Sequence, residues 1–138
     1  PLRCTLEGAR FTRPGLLVAG EAAGSTYSFT GEGIGKALET GILAGKALLD
    51  GMAQPGDAAS QDRALRARYE QHLAALQPRF QLYERANQVN RHPWLADLLI
   101  WRGRRSPRVL RAMSGVLEET SNPGHLVSVG GLLKLMRR

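Results

Sequence analysis

The sequence predicts a mainly α-helical chain with one or two β-strands, which we expect to belong to a larger α/β fold. A short apolar run, Leu16–Ala19, follows the turn signal Pro14-Gly15 and is typical of a strand covered on both faces in a parallel sheet. Apolar spacings of three and four then predict a helix over residues 33–51, and residues 61–138 carry only helical patterns. Because one strong strand does not complete a sheet, we expect this chain to be a piece of a larger protein.

The predicted helix over residues 33–51 has an apolar face that is rich in glycine and alanine. Its members are Ile34, Ala37, Leu38, Gly41, Ile42, Gly45, Leu48 and Leu49. Lys36 and Thr40 fall elsewhere around the helix. Since a glycine inside a helix costs about 1 kcal/mol relative to alanine, we expect the apolar face to be buried by close packing. Residues 2–11 alternate loosely and predict an edge strand or a hairpin arm.

The helical second half follows a loop. Residues 53–60 contain Pro55-Gly56-Asp57 and are predicted to be a linker, so that residues 1–52 form one segment and residues 61–138 a helical region. A helix is expected to begin near Gln61, with Leu65, Tyr69, Leu73 and Leu76 on one side. Pro78 is expected to kink or end it. Further helices are predicted at 94–101, 107–119 and 124–136.

The net charge of +7 is concentrated in the second half of the chain. Residues 61–138 carry fourteen Lys and Arg against six acids, whereas residues 1–60 carry five against six. A basic balance fits nucleic acid, an anionic membrane or an acidic partner, but the arginines are spread over helices as on a solvated face. No nucleic-acid-binding motif accompanies them, so we expect no nucleic acid partner.

The composition gives little support to a metalloprotein, a disulfide-bonded protein or a membrane-spanning protein. Cys4 is the only cysteine, and the three histidines are far apart, so we expect neither a disulfide nor a metal site. No apolar run reaches the roughly 18 residues of a membrane span, and no signal peptide pattern is present. We therefore expect a cytoplasmic protein, with peripheral membrane contact as an alternative.

The strongest indication of chemistry is the segment Gly20-Glu21-Ala22-Ala23-Gly24 at the end of the predicted strand. In open α/β sheets, ligands bind beyond the carboxyl ends of strands, where Glu21 would accept hydrogen bonds from ligand hydroxyls. Thr30 is the predicted N-cap of the following helix, whose first turn favours negative charge. Glycines at 31 and 33 would let a planar ligand approach the backbone. A reduced flavin, which gathers negative charge at its pyrimidine ring, suits such a site.

The segment from Gly20 to Ile34 resembles the second flavin-binding motif of the geranylgeranyl reductase family. These are FAD-dependent oxidoreductases related to aromatic hydroxylases of the p-hydroxybenzoate hydroxylase type. The family pattern is Gly-Asp-Ala-Ala-Gly, a few residues, then Asn-Pro-Phe-Thr-Gly-Glu-Gly-Ile, and the spacing matches without a gap. Glu21 replaces the aspartate, Tyr27 the asparagine and Ser28 the proline. The resemblance implies a Rossmann-like FAD-binding parent fold, with residues 1–52 as the C-terminal segment of its FAD-binding domain.

The resemblance also implies the residues that bind the cofactor, namely Gly20, Glu21, Ala22, Gly31, Glu32, Gly33 and Ile34. Glu21 would contact the ribityl chain, and the backbone from Gly31 to Ile34 would lie along the pyrimidine edge. Tyr27 and Phe29 would lie beside the flavin ring and contact the substrate. The Glu32 side chain is either a site acid or a structural partner of Lys36. No catalytic residue is identified.

The implied reaction is reduction of an isoprenoid carbon–carbon double bond by reduced FAD, with NAD(P)H or another reductant as electron donor and a lipid-like small molecule as substrate. A flavin monooxygenase or hydroxylase of the same superfamily is one alternative. The pyrophosphate-binding Gly-x-Gly-x-x-Gly turn is missing, since Gly31-Glu32-Gly33-Ile34-Gly35-Lys36 lacks the third glycine. We therefore expect the N-terminal half of the same protein to be missing, and this chain alone to be inactive and to bind FAD weakly or not at all.

A second alternative is a non-catalytic helical module that binds a partner or a membrane. Its basis is the apolar and aromatic stretch from Trp94 to Trp101, which is followed by Arg102, Arg104 and Arg105. Such a stretch fits the core of a small helical subdomain, a membrane-surface helix or the wall of a lipid site.

Overall fold

The computed structural model describes residues 3–118 and 120. In chain order, this part contains β1 (Thr12–Arg13), β2 (Leu16–Leu17), a 3-10 turn (Gly20–Ala23), α1 (Ile34–Met52), α2 (Ala58–Ala86), a second 3-10 turn (Asn87–Arg91), α3 (Pro93–Gly103) and α4 (Pro107–Leu117). The chain divides into two compact units, Pro1–Gln81 and Leu82–Arg138. The described part is mainly helical with a two-stranded sheet, as the sequence predicts.

The predicted strand belongs to a short hairpin. β2 pairs antiparallel with β1, with Thr12 opposite Leu17 and Arg13 opposite Leu16. Gly15 has a φ of +70° in the connecting turn, a conformation that glycine adopts readily. Leu16 is 50% exposed, so the expectation of a parallel strand covered on both faces is wrong for this structure. The turn at Pro14-Gly15 brings the preceding residues alongside, which supplies an antiparallel neighbour.

The segment before the hairpin contributes a single strand-like contact. Cys4 forms an isolated parallel bridge with Thr26, and Leu6 donates its N–H to the Gly24 carbonyl at 3.1 Å. Among described residues 3–11, no regular strand is present. The early segment therefore covers the loop that follows the Gly20–Ala23 turn.

Helix α1 has the predicted length but buries the opposite face. Lys36, Thr40, Ala47 and Gly51 are its buried residues. Ile34, Leu38 and Ile42 are 80%, 65% and 58% exposed, so the described part of this chain does not bury the predicted face. The buried polar groups are satisfied, since the Lys36 ammonium pairs with Glu39 at 2.9 Å and the Thr40 hydroxyl bonds to backbone. A pair of this kind makes burial of a cation tolerable.

Helix α2 begins three residues before the predicted start and continues through Pro78. The Asp57 carboxylate accepts the Ser60 backbone N–H at 2.8 Å, which is the geometry of an N-terminal cap. Leu73 and Phe80 are buried on either side of Pro78. Burial of both offsets the roughly 3 kcal/mol that proline costs inside a helix. Of the two predicted effects of Pro78, termination of the helix is therefore wrong, and a kink stays a prediction.

The core of the first unit lies between α1, α2 and the hairpin. Ala47, Tyr69 and Leu73 are fully buried and pack together. Partly buried apolar residues surround them: Phe11, Leu17, Leu43, Ala44 and Leu76. The Tyr69 hydroxyl donates to the Val18 carbonyl at 2.8 Å, which joins α2 to the end of the hairpin. The predicted linker, residues 53–60, falls inside this unit and overlaps the start of α2.

The second unit is built on α3, α4 and the end of α2. Tyr83, Val109 and Val116 are buried, and the Tyr83 hydroxyl donates to the Val116 carbonyl at 3.1 Å. A Cβ at Gly103 would lie 3.4 Å from the Met113 sulfur, so α3 and α4 pack closely there. The predicted helices 94–101 and 107–119 are confirmed by α3 and α4, and the predicted helix 124–136 lies outside the described residues.

Candidate functional site

The Gly20–Ala23 turn is attached to the first two turns of α1. Gly20 donates its N–H to the Thr40 hydroxyl at 2.9 Å. Gly20 has a φ of +66°, and a Cβ there would lie 3.4 Å from the Ala37 Cβ. The backbone conformation favours glycine at this position, and the turn packs in van der Waals contact with α1. The turn is closed by Gly24, whose N–H donates to the Glu21 carbonyl at 2.8 Å.

The Glu21 carboxylate in this turn is exposed to solvent. Glu21 and Ala22 are exposed, whereas Ala23 is fully buried. The Glu21 side chain is therefore accessible to a ligand from outside the first unit. The strand that precedes Glu21 ends at Leu17 and is part of a hairpin, and the contact of Glu21 with a ligand stays a prediction.

The second half of the motif is a loop closed by two backbone hydrogen bonds. Tyr27 donates its N–H to the Glu32 carbonyl at 2.9 Å, and Gly31 donates to the Tyr27 carbonyl at 2.9 Å. Gly31 is exposed with a φ of +72°, and a Cβ there would have no neighbour within 4 Å. The loop leads directly into α1. The first half of the motif is therefore bonded to α1, and the second half immediately precedes it.

The two other glycines of the loop region have different surroundings. A Cβ at Gly33 would lie 2.9 Å from the Thr26 hydroxyl, and one at Gly35 would lie 2.9 Å from the Glu32 carboxylate. The absence of a side chain at Gly33 is thus required by the chain's own packing. At Gly31, by contrast, the space is open to a ligand.

The N-terminus of α1 is capped by Glu32. Its carboxylate accepts the Gly35 N–H at 2.6 Å. The N-cap residue itself is Gly33, and the Thr30 hydroxyl instead accepts the Glu32 N–H at 3.3 Å, so the prediction of Thr30 as N-cap is wrong. The Lys36 ammonium pairs with Glu39 at 2.9 Å. Glu32 has a structural role through its bond to Gly35, and its charge complements the helix dipole.

Tyr27 lies in the interior of the first unit. Its ring packs edge-on against Phe80, with ring centroids 4.7 Å apart, and the Lys36 ammonium lies 5.0 Å from its centroid. Tyr27 is 1% exposed, while Phe29 is half-buried. The contact of these two residues with a substrate stays a prediction. Sequence reasoning missed the Tyr27–Lys36 contact, because helical periodicity placed Lys36 on the solvent side.

Two serines of the motif have buried hydroxyls. Ser25 Oγ and Ser28 Oγ make no hydrogen bond within the described part of the chain. Buried hydroxyls in folded proteins normally have a partner. Because the chain itself covers both hydroxyls, they are not available to a ligand in this conformation. Glu21 and Gly31 are the accessible residues of the motif.

Residues 3–118 and 120 contain no group of three His, Cys, Asp or Glu side chains arranged to bind a metal ion. No helix formed by these residues is long and apolar enough to cross a membrane.

No protein-family model, curated protein or solved structure matches this chain. The fold defines it as a mainly helical protein with one antiparallel hairpin in its described part. Its candidate site is the loop and helix start from Gly20 to Ile34.

Proposed function

We propose that this chain is the C-terminal portion of an FAD-dependent oxidoreductase of the geranylgeranyl reductase family, located in the cytoplasm. The observation that carries the proposal is the ungapped motif from Gly20 to Ile34, whose first half is bonded to α1 through Thr40 and whose second half leads into the start of α1. Glu21 is accessible on the first half and Gly31 on the second. An acceptor carboxylate and an open glycine backbone are what a flavin's ribityl chain and ring edge require.

Each element of the motif has a distinct part in binding the cofactor. Glu21 would accept hydrogen bonds from the ribityl hydroxyls, and its extra methylene relative to aspartate extends its reach by about 1.5 Å. The backbone from Gly31 to Ile34 would hold the pyrimidine end of the ring. The N-terminus of α1 favours the negative charge of the reduced ring, although the Glu32 carboxylate, bonded to Gly35, offsets part of that effect.

The proposed reaction is reduction of an isoprenoid carbon–carbon double bond. FAD, reduced by NAD(P)H or another donor, supplies the hydride when bound. This chain contributes binding and orientation through Glu21 and the loop that ends at Gly33. The buried Tyr27 ring contacts Phe80 and the Lys36 ammonium, and these contacts restrict the motion of that loop.

The exposed face of α1 supports the proposal that the chain belongs to a larger protein. This face, which we call the apolar α1 face, consists of Ile34, Leu38, Gly41, Ile42, Gly45, Leu48, Leu49 and Met52. It contains no charged residue. Over 19 residues it extends about 28 Å at 1.5 Å per residue. Continuous apolar surfaces of this kind are rarely left in water, and we propose that the missing N-terminal half covers it.

The test uses the full-length parent protein with substitutions at Glu21. Glu21→Ala removes the acceptor of charge-assisted hydrogen bonds, and we expect flavin affinity to fall about tenfold or more. Glu21→Asp restores the family's residue and should retain FAD. Glu7→Ala, an exposed acid outside the motif, is the matched control. Flavin per protein is measured from visible absorbance after gel filtration.

Two outcomes would contradict different parts of the proposal. A parent protein purified without flavin, and unable to take it up, would exclude the family. Full flavin affinity in Glu21→Ala would exclude the assignment of Glu21 alone. Reoxidation of the reduced flavin by an isoprenoid alkene in the absence of oxygen is the expected activity, whereas reoxidation that requires oxygen would favour a monooxygenase.

A further inference from the structure

Helix α3 in the second unit exposes two tryptophans on one side. Trp94 and Trp101 are 63% and 50% exposed, and Ile100 is 54% exposed. The tryptophans are seven residues apart, which places them almost in line along a helix, about 10.5 Å apart. We call Trp94, Ile100 and Trp101 the tryptophan surface. Large aromatic side chains left in water at this density indicate a contact surface.

Arginines adjoin this surface. The Arg105 guanidinium lies 4.3 Å from the centre of the Trp101 ring, and Arg104 is exposed beside it in the connection to α4. Arg108 and Arg111 are exposed on α4. Residues 82–118 contain seven arginines and three acids, a net charge of +4. The surroundings of the tryptophan surface therefore attract anions.

The tryptophan surface has one acidic residue. Asp97 is exposed and lies on the same side of α3, three residues after Trp94. Its negative charge opposes binding of an anion. A substitution at Asp97 can therefore test the sign of the partner's charge. Removal of this charge should strengthen the contact if the partner is anionic.

We propose that the tryptophan surface of α3 binds the surface of an anionic lipid membrane. Tryptophan prefers the boundary between lipid headgroups and acyl chains, where its ring and its N–H are both satisfied. Arginines near that boundary are attracted to anionic headgroups. This contact is independent of the flavin motif, which lies in the first unit. Its test does not depend on the proposed oxidoreductase activity.

Two other partners fit the observations less well. A second copy of the chain would bring the arginines of two positive surfaces together, which opposes self-association. A nucleic acid would pair with the arginines and stack on the tryptophans, but the exposed aliphatic Ile100 and Leu110 gain nothing from that contact. Burial of aliphatic and aromatic side chains beside cationic ones is typical of helices at a membrane interface.

The experiment is co-sedimentation of the whole chain with phosphatidylcholine vesicles, with and without phosphatidylglycerol, at low and high salt. We expect binding only to the anionic vesicles, weakened by salt, with a blue shift of tryptophan fluorescence. Arg105→Gln should lower the partition coefficient about fivefold. Trp101→Ala should lower it and reduce the blue shift, and Asp97→Asn should raise it.

The matched control is Arg63→Gln, which removes an exposed arginine from α2 in the first unit. It should change binding much less than Arg105→Gln does, and circular dichroism establishes that each variant is folded. Absence of binding to anionic vesicles would overturn the proposal, as would equal losses in the two arginine variants. Tighter binding to a DNA duplex or single strand than to vesicles at the same salt would indicate a nucleic acid partner instead. A dimer that Trp101→Ala dissociates would identify the surface as a contact between copies.

Discussion

Gly20 donates its backbone N–H to the hydroxyl of Thr40 at 2.9 Å, and this bond joins the first half of the motif to α1. Thr40 is fully buried, and its hydroxyl lies 2.9 Å from the Lys36 carbonyl, to which it donates. One side chain thus satisfies a turn amide and a helix carbonyl. The position of the exposed Glu21 beside α1 depends on this connection.

Thr40→Val should loosen the Gly20–Ala23 turn while preserving the shape of the side chain. The Gly20 N–H would lose its acceptor, and we expect the free energy of unfolding to fall by about 1–3 kcal/mol. Hydrogen exchange at the Gly20 amide should become faster. Thr40→Ser, which keeps the hydroxyl and loses only a methyl group, should retain slow exchange at that amide. Equal exchange rates in the two variants would show that the hydroxyl does not position the turn.

Substitution by alanine at Gly51 and at Gly45 of α1 should change the free energy of unfolding in opposite directions. A Cβ at Gly51 would overlap the Leu65 side chain and lie 3.0 Å from its Cα, whereas one at Gly45 would have no neighbour within 4 Å. We expect Gly51→Ala to destabilise the chain by about 1–3 kcal/mol through overpacking. Gly45→Ala should stabilise it by up to about 1 kcal/mol through helix propensity.

Urea unfolding of the two alanine variants at neutral pH measures this contrast. Gly41→Ala provides a second open position and should behave like Gly45→Ala. Destabilisation by Gly45→Ala in this chain would mean that the apolar α1 face is already packed. In the full-length parent, where we propose that this face is covered, the same substitution should lose its stabilising effect.

Hydrophobic periodicity predicted the extent of α1 but not which side is buried. Ile34 and Leu38 are exposed, while Lys36 and Thr40 are covered by the loop and the Gly20–Ala23 turn. A helix face that contacts another domain has the same apolar pattern as one that contacts its own core. The pattern therefore identifies a surface that avoids water, and only the tertiary structure shows whether this chain covers it.

The sequence predicted the turn and loop of the candidate site but not the contacts of its side chains. Gly20 and Gly31 have positive φ angles and Glu21 is accessible, while cofactor binding by these residues stays a prediction. The contacts of Tyr27 could not be predicted, because its partner Phe80 is 53 residues away in sequence and follows a proline. The apolar run Leu16–Leu17 by itself fits a parallel or an antiparallel partner, and the turn signal Pro14-Gly15 before it is the feature that favours the antiparallel one.

Tyr69 should make stability fall at alkaline pH. Burial raises the pKa of its hydroxyl from 10.0 to about 12. The unfolded state therefore ionises first as the pH rises, binds fewer protons than the native state above pH 10.0, and is favoured increasingly up to the native pKa. Stability from this group is fully present below pH 10.0 and is lost between there and about pH 12.

Tyr69→Phe isolates this effect from other groups that titrate in the same range. The variant loses the hydrogen bond to the Val18 carbonyl, so it should be about 1 kcal/mol less stable at neutral pH. Above pH 10.0 the difference between the wild-type chain and the variant should narrow, because only the wild type ionises at this position. Urea midpoints across the alkaline range provide the measurement. A difference that stays constant with pH would contradict a raised native pKa.

The isolated chain should bind FAD weakly or not at all. It offers Glu21 and the loop at Gly31 but lacks a Gly-x-Gly-x-x-Gly turn for the pyrophosphate, which supplies backbone N–H donors to two negative charges. Equilibrium dialysis of the chain against FAD, with riboflavin in parallel, measures the consequence. Because the missing contacts are to the pyrophosphate, FAD should have no advantage over riboflavin for this chain, whereas the full-length parent should prefer FAD strongly. A chain that is isolated with stoichiometric yellow flavin would contradict the division of the cofactor site between two halves of one protein.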